Sequence, residues 1–226
     1  MINLIVGNRR WDKAQEAEKK SWQSTKDIWL KDDGRLYWQE KLNRGFNLDF
    51  SFFINKDVLE IGCGPAGIIF LSDMAKYRIG IEPMDLSDLI EEDWKKSIVT
   101  KGVGEILPFE DSSFDIVISF NALDHAINPD DVIKETHRVL RHDGDFLLWI
   151  YTLREKYRPL QKTLNRLDAP HPHHFTYNEI ISMVNNNSFR INNRRYEGGT
   201  GLKNDTIKRI FGNQMMSTTW LWSKKI

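Results

Sequence analysis

The chain has 226 residues and carries 32 basic and 32 acidic side chains, so its formal net charge is zero. This balance argues against the strongly basic surface of a typical nucleic-acid-binding protein, and no apolar run reaches the roughly 18 residues that a membrane span needs. The single cysteine excludes an internal disulfide and suits a reducing, cytoplasmic compartment. We therefore expect no nucleic-acid and no membrane partner, and the composition does not define an oligomeric state.

Residues 1–55 are predicted to form a helical leader. The stretch from Arg9 to Lys31 lacks proline and glycine and is rich in Ala, Gln, Glu and Lys, which favours a helix. Tryptophans recur at near-helical intervals, at Trp11, Trp22, Trp29 and Trp38. These aromatic side chains either pack the leader against the rest of the chain or allow it to cover the active site as a lid.

Residues 56–151 alternate between apolar runs and helical segments. Helices are predicted at Ala66–Lys76 and at Pro129–Leu140, where Pro129 suits the first position of a helix. Four apolar runs suit parallel strands buried on both faces, and a fifth run is shorter. These five are Val58–Ile61, Ile79–Ile81, Phe114–Phe120, Asp145–Tyr151 and Ser97–Lys101. Such alternation is typical of an α/β doubly wound, mostly parallel sheet.

Residues 152–175 interrupt this alternation with a basic, proline-containing insertion. It would follow the carboxyl end of a strand, where ligand crevices form in such folds. A helix is then predicted at Tyr177–Asn187, with Thr176 and Glu179 forming a capping box. We expect residues 56–226 to form a single domain. Its remaining elements would be a strand at Phe189–Tyr196, a short helix at Asn204–Phe211 and a last strand at Met215–Trp222.

A glycine-rich turn follows the first apolar run and is the most informative feature of the chain. Three glycines stand at Gly62, Gly64 and Gly67, and Glu82 closes the next apolar run 20 residues after Gly62. A strand, a tight turn and a helix start would present bare backbone N–H groups to a nucleotide, and Glu82 could accept hydrogen bonds from a ribose diol. The pattern predicts an adenosine-containing cofactor.

The glycine spacing alone formally fits a dinucleotide fingerprint, so NAD stays an alternative cofactor. Glu60 lies two residues before the first glycine, where its carboxylate could face a cofactor ammonium but would repel a pyrophosphate. The turn also follows a long leader, whereas a dinucleotide domain often opens with it. Both observations favour a cofactor without a pyrophosphate.

Further motifs follow at family-like spacing. They are GEILPFEDSSFDIVIS at Gly104–Ser119, the segment Ile133–Leu140 and the segment Asp143–Leu148. Together with the glycine turn and Glu82, they resemble the class I S-adenosylmethionine-dependent methyltransferases, in particular the small-molecule group, over residues 56–151. The resemblance implies S-adenosylmethionine as the cofactor and a Rossmann-like, seven-stranded sheet whose last strand is antiparallel.

The resemblance also implies which residues bind the cofactor. Glu60 and the backbone of Gly62, Cys63, Gly64 and Gly67 would hold its methionine end, and Glu82 would hold the ribose hydroxyls. The residues bordering the adenine would be Pro83, Met84, Glu105 and Ile106, and those lining the methionine side would be Phe120 and Asn121. A solvated strand end is the alternative for Glu82, and a loop position is the alternative for Glu105. Cys63 itself suits a small residue that fills the turn rather than a catalytic thiol, because no base lies near it in sequence.

Asp124 and His125 follow the Phe114–Phe120 strand and should project into the crevice. A histidine side chain titrates at about pH 6.5, which suits a general base for an acceptor that must lose a proton. Asp124 could orient His125 or bind the acceptor. Alternatively, His125 packs against the cofactor loop without a catalytic role.

The insertion carries the candidates for substrate binding, which are His171, His173, His174, Arg154 and Arg158. No cysteine and no helical His-x-x-x-His spacing accompanies the histidines, so no metal site is predicted. They would contact the acceptor by hydrogen bonds or stacking, or serve only the loop structure. The arginines would either bind an anionic acceptor or form a solvated helix face.

These interpretations predict an enzyme that transfers a methyl group from S-adenosylmethionine to an oxygen or nitrogen atom of a small metabolite, such as a sugar-containing intermediate. Two alternatives stay open. One is an NAD-linked oxidoreductase on the same class of fold, and the other is an S-adenosylmethionine-binding relative that has lost catalysis.

Overall fold

The structure is a computed structural model that describes residues 9–29, 34–90, 93–168, 170–198 and 213–226. Its strands are β1 Asp57–Ile61, β2 Tyr77–Glu82, β3 Val99–Lys101, β4 Phe114–Phe120, β5 Leu140–Leu153, β6 Phe189–Gly198 and β7 Met216–Lys225. They form one sheet in the order β3-β2-β1-β4-β5-β7-β6. The strands β1 to β5 pair in parallel, whereas β7 runs antiparallel to both β5 and β6. The predicted seven-stranded sheet with an antiparallel last strand is confirmed.

Seven α-helices are described, two of them before the first strand in the chain. They are α1 Arg9–Trp29, α2 Gly34–Phe46, α3 Asp93–Lys96, α4 Pro129–Val139, α5 Gln161–Leu167, α6 Tyr177–Asn186 and α7 Asn213–Met215. The capping box predicted for α6 is present, since Glu179 N donates to Thr176 Oγ1 and Thr176 N donates to Glu179 Oε2. The helix predicted at Asn204–Phe211 lies outside the described residues. None of the described helices is long and apolar enough to cross a membrane.

The helix predicted at Ala66–Lys76 is wrong. The chain forms only a 3₁₀-helix at Ile68–Leu71, followed by turns that lead into β2. The carbonyls of Ile69 and Phe70 accept hydrogen bonds from the Arg78 guanidinium, and the carbonyl of Leu71 accepts one from Arg35. An α-helix would have used these carbonyls for its own N–H groups, so hydrogen bonds from arginines outside the segment replace the helical bonds here.

Two hydrophobic clusters cover the two faces of the sheet. One face buries α2, through Trp38, Leu42 and Phe46, with the 3₁₀-helix at Ile68–Leu71. The opposite face packs α4 and α6, which contribute Ile133 and Ile180 among other residues. The central strands are therefore buried on both sides, as expected for a parallel sheet, and their carboxyl ends are held at one rigid edge.

Candidate functional site

The predicted cofactor and substrate segments meet at the carboxyl edge of the sheet. Ile61 pairs with Ile81 at the ends of β1 and β2, and Phe120 pairs with Trp149 at the end of β4. The glycine turn, the loop after β2 and the segment after β4 therefore leave the sheet side by side. The loop that ends the insertion joins them, because His173 N donates to the Asp124 carbonyl at 3.3 Å.

The glycine turn adopts a backbone that a side chain would disturb. Gly64 has a φ of +51°, and a β-carbon there would lie 3.3 Å from Cζ2 of Trp22. Gly62 abuts the segment after β4 so closely that a β-carbon would lie 2.4 Å from Cβ of Ala122. Glycine is thus required for conformation at Gly64 and for close approach at Gly62.

Glu82 ties the glycine turn to the loop after β2. Its Oε2 accepts a hydrogen bond from Gly64 N at 2.9 Å, and its Oε1 accepts one from Met84 N at 3.0 Å. The side chain is buried, and burial raises the pKa of its carboxyl, although both backbone hydrogen bonds and the nearby His125 act in the opposite direction. Glu82 stands where the sequence predicted it, at the tip of β2 beside the turn.

Glu60 lies beneath the same turn. It is 1% exposed, and its Oε2 accepts a hydrogen bond from Ile69 N at 2.9 Å. Burial raises the pKa of Glu60 to about 8, with a smaller contribution from the charge of Glu82. Within the described part of the chain, neither carboxylate forms an ion pair with a lysine or arginine. This donor set suits a ligand that itself carries positive charge.

Cys63 is buried between the turn and β2. A β-carbon at Gly80 would lie 2.6 Å from its Sγ, and burial raises the pKa of its thiol. A neutral, enclosed thiol is a poor nucleophile. The geometry therefore agrees with Cys63 as a small residue that fills space.

The remaining cofactor candidates occupy varied positions. Glu105 Oε1 accepts hydrogen bonds from Ile127 N and Asn128 N, so it organises the approach to α4. The Phe120 ring stacks on Trp38 and Phe46 at centroid distances of 5.5 and 5.7 Å, within the hydrophobic core. Asn121 has a φ of +52° and a buried Oδ1 without a hydrogen-bond partner among the described residues. Partly exposed loop positions are taken by Pro83, Met84 and Ile106.

The three histidines predicted to bind substrate, the two predicted catalytic residues and one further carboxylate form a histidine cluster, which comprises Asp124, His125, His171, His173, His174 and Asp168. The rings of His125 and His171 are 4.9 Å apart, and Nε2 of His125 lies 4.0 Å from Oδ2 of Asp124. Asp168 Oδ2 is 3.1 Å from Nδ1 of His171 and 3.3 Å from Nε2 of His174. Sequence reasoning missed Asp168, although it stands within the insertion three residues before His171.

In the part of the chain that the structure describes, neither of the two predicted arginines forms a hydrogen bond or an ion pair with the histidine cluster. Arg154 Nη1 donates to the Gln214 carbonyl at 3.1 Å, and Arg158 Nη2 lies 3.9 Å from Glu179 Oε1 with a largely exposed side chain. Arg158 does line the same surface groove as His173 and His174. Of the two arginines, Arg158 is thus the one that shares a surface groove with histidines of the cluster.

Helix α1 crosses this edge of the sheet. Trp22 contacts the glycine turn, and Arg10 Nη2 donates to the Pro172 carbonyl at 3.3 Å beside the histidine cluster. Helix α2 adds an indole hydrogen bond from Trp38 Nε1 to the Ala66 carbonyl at 2.9 Å. The leader therefore lies against both the glycine turn and the loop that carries the histidine cluster.

Two aromatic rings enclose the ammonium group of Lys41, a feature that the sequence analysis did not predict. Lys41 Nζ lies 4.1 Å from the ring centroid of Trp149 and 5.4 Å from that of Tyr37. Burial lowers the pKa of Lys41 to about 8, and burial together with the charge of Asp124 raises the pKa of Tyr151. The aromatic residues Trp149 and Tyr151 near the end of β5 are visible in the sequence. Their packing against α2 is not, because it joins residues that are far apart in the chain.

Comparisons with known proteins match part of this chain to a protein family. Residues 59–148 match the family described as "Methyltransferase domain". A protein of Mycolicibacterium smegmatis, named as a probable S-adenosylmethionine-dependent methyltransferase, is 30% identical over 95 residues, which are 41% of this chain and 37% of that protein. The curated relatives are matched over only 31–43% of their own lengths.

Solved structures share the fold over more of the chain. One from Thermotoga maritima, titled a possible histamine N-methyltransferase, covers 96% of this chain and all of its own length, with a TM-score of 0.61 and 17% identity. The [4+2]-cyclase SpnF covers 86% of this chain and 85% of its own, with a TM-score of 0.64 and 16% identity. At such identities the likeness shows the fold alone.

Proposed function

We propose that this chain, which carries a class I S-adenosylmethionine-dependent methyltransferase domain, transfers a methyl group from S-adenosylmethionine to an oxygen or nitrogen atom of a small-molecule acceptor. The observation that carries the proposal is the pair of buried carboxylates, Glu60 and Glu82, at the glycine turn. Without a lysine or arginine partner among the described residues, they suit a ligand with an ammonium and a ribose diol.

The same observation disfavours the NAD-linked alternative. A pyrophosphate needs backbone N–H groups at a helix N-terminus and tolerates nearby carboxylates poorly. Here the turn leads into a four-residue 3₁₀-helix instead of an α-helix. The first backbone N–H groups of that helix, those of Ile68 and Ile69, already donate hydrogen bonds to Glu60. An oxidoreductase would have to place two phosphates in a region that has two buried acids.

When bound, S-adenosylmethionine supplies an electrophilic methyl group on a positively charged sulfur. The residues of this chain would then serve two purposes. Glu60 and the turn would hold the methionine end, and Glu82 would accept hydrogen bonds from the ribose while keeping its bonds to Gly64 and Met84. Helix α1 would exclude water from the site through Trp22, which favours transfer to the acceptor over side reactions.

The acceptor would lie toward the histidine cluster. His125 would take the proton that an oxygen or nitrogen acceptor must lose, with Asp124 beside it. Most of the acceleration in such a displacement comes from positioning, so the acceptor's contacts matter as much as the base. A hydroxylated acceptor such as a sugar-containing intermediate would find hydrogen-bond partners in the histidines and carboxylates of this cluster.

Isothermal titration calorimetry of the protein with S-adenosylmethionine, S-adenosylhomocysteine and NAD(H) tests the proposal. We expect saturable binding of the first two and none of the third. Binding of NAD(H) instead would contradict it. The cyclase SpnF has the same fold, so a relative that has lost methyl transfer is the second candidate. Cofactor binding without turnover on any panel of hydroxyl and amine acceptors would favour that second candidate.

A further inference from the structure

Three residues of the histidine cluster converge in a way that neither cofactor binding nor a general base explains. Asp124, His125 and His171 each place one ligand-type atom so that all three atoms lie within 4.8 Å of one another. Their side chains are enclosed, with exposed fractions of 7%, 13% and 28%. They come from two separate parts of the chain, the segment after β4 and the loop that ends the insertion.

Two atoms of this group are buried without a protein partner. Asp124 Oδ1 and His125 Nδ1 are inaccessible and accept or donate no hydrogen bond within the described part of the chain. Burying a carboxylate oxygen in this way is costly unless a cation or a donor meets it. A positively charged ligand bound by Asp124 would remove that cost.

One of the two histidines, His171, also has the outer support that is usual for metal-binding histidines. Asp168 holds Nδ1 of His171 at 3.1 Å, which fixes the ring, and the same oxygen lies 3.3 Å from Nε2 of His174. His173 N donates to the Asp124 carbonyl, and Nε2 of His173 lies 2.9 Å from the Ala126 carbonyl. A carboxylate behind a histidine is the usual arrangement around a bound metal ion.

We propose that Asp124, His125 and His171 bind one divalent transition-metal ion of the Zn²⁺ type. Two imidazoles and one carboxylate are a donor set that suits Zn²⁺ better than Mg²⁺ or Ca²⁺, which prefer oxygen ligands only. Ligand atoms around a tetrahedral ion at about 2.1 Å lie roughly 3.4 Å apart. Rotation of the His125 side chain and a small shift of Asp124 would close the group around the ion while His171 keeps its contact with Asp168. This assignment departs from the sequence-based expectation of no metal.

The position of the site gives it a purpose. Ala122, two residues before Asp124, abuts Gly62 of the cofactor turn. Three protein ligands leave at least one coordination position for a hydroxyl or amine of the acceptor. This purpose rests on the proposed function, whereas the metal site itself does not. A bound ion would make the acceptor's proton easier to lose, and that proton would then pass to solvent, because His125, the base of the metal-free site, would be a ligand in the metal-bound site.

The test titrates ions into the chain without a polyhistidine tag. After treatment with EDTA and desalting, Zn²⁺, Co²⁺ and Mg²⁺ are added in separate calorimetric titrations, and the Co²⁺ sample is also followed by visible absorption. We expect one equivalent of Zn²⁺, a Co²⁺ spectrum of a four- or five-coordinate ion, and no saturable binding of Mg²⁺. Absence of stoichiometric Zn²⁺ and Co²⁺ binding to the wild-type chain would overturn the proposal.

Variants assign the ligands. H171A and D124N should each weaken Zn²⁺ binding at least tenfold, and D168N should weaken it less, because Asp168 only orients His171. His142 is the matched control, since it is a largely exposed histidine beside Asp143, and H142A should bind Zn²⁺ like the wild type. Wild-type affinity in both H171A and D124N would refute the site. Titration of S-adenosylmethionine into the same metal-free samples tests the proposed function independently, and circular dichroism reports whether each variant is folded.

Discussion

Glu82 Oε2 accepts a hydrogen bond from the backbone N–H of Gly64 at 2.9 Å, which locks the tip of β2 to the glycine turn. The carboxylate thus has a structural partner before any ligand arrives. Substitutions at Glu82 should consequently affect both the conformation of the turn and the binding of the ribose hydroxyls.

E82A should weaken S-adenosylmethionine binding by about 1.5–3 kcal/mol, the scale of losing hydrogen bonds to a charged acceptor. Calorimetric titration measures this change, and E110A is the control, because Glu110 is exposed in the loop before β4. An unchanged dissociation constant in a folded E82A protein would remove Glu82 from the cofactor site.

Cofactor affinity should rise with pH between about 5.5 and 7.5. Burial raises the pKa of Glu60 to about 8, so the free protein holds a proton there at neutral pH. An ammonium beside the carboxylate favours the ionised form, and binding must therefore release that proton. Below pH 8 the affinity should fall by up to roughly tenfold per pH unit.

Titrations in buffers of different ionisation enthalpy count the released protons. The wild type should release close to one proton near pH 7, and E60Q should release fewer and show a flatter pH profile. Equal proton release by both proteins would mean that another group titrates on binding.

G64V should abolish cofactor binding while retaining most of the fold. The valine would have to adopt a φ of +51° and would press its β-carbon against Trp22 at 3.3 Å. G34A is the matched control, since a β-carbon at Gly34 lies 3.6 Å from its nearest neighbour. Circular dichroism confirms folding, and retained binding by G64V would place the cofactor elsewhere.

H125A should lower kcat by roughly 10²–10⁴-fold if His125 is the base, with little change in cofactor affinity. Turnover is measured once an acceptor is found, with H142A as the control. Near-normal turnover would mean that the acceptor loses its proton without His125.

Helix α1 should become protected from hydrogen exchange when S-adenosylhomocysteine binds. The reason is that Trp22 contacts the glycine turn and Arg10 contacts the loop beside the histidine cluster. Mass spectrometry of peptides from residues 9–29 measures the change, and peptides from edge strand β6 serve as the reference. If the leader only packs against the domain, its exchange will not depend on the ligand.

The sequence alone predicted the positions of those elements that are specified by residues close together in the chain. The capping box of α6 and the buried runs of β1 and β4 are specified by neighbouring residues, and the structure has them where they were predicted. The same holds for the glycine turn and for Glu82 at the tip of β2. Local patterns failed where distant side chains decide the outcome.

The segment after the glycine turn is the clearest failure. Arg35 and Arg78 bind carbonyls that a helix would have used, and no pattern within Ala66–Lys76 reveals these partners. The surroundings of Phe120 are a second example of contacts that no local pattern reveals. Its ring stacks on Trp38 and Phe46, which belong to a helix more than 70 residues earlier in the chain.

The packing of α2 defines where a shortened chain can begin. Trp38, Leu42 and Phe46 are at most 8% exposed and share one core with β1 and β4, so α2 is part of the folding unit. Helix α1 buries Ala14 completely but few other side chains among those described. A chain that starts at Gly34 should therefore still unfold cooperatively, whereas one that starts at Asp49 would expose a large apolar surface and aggregate.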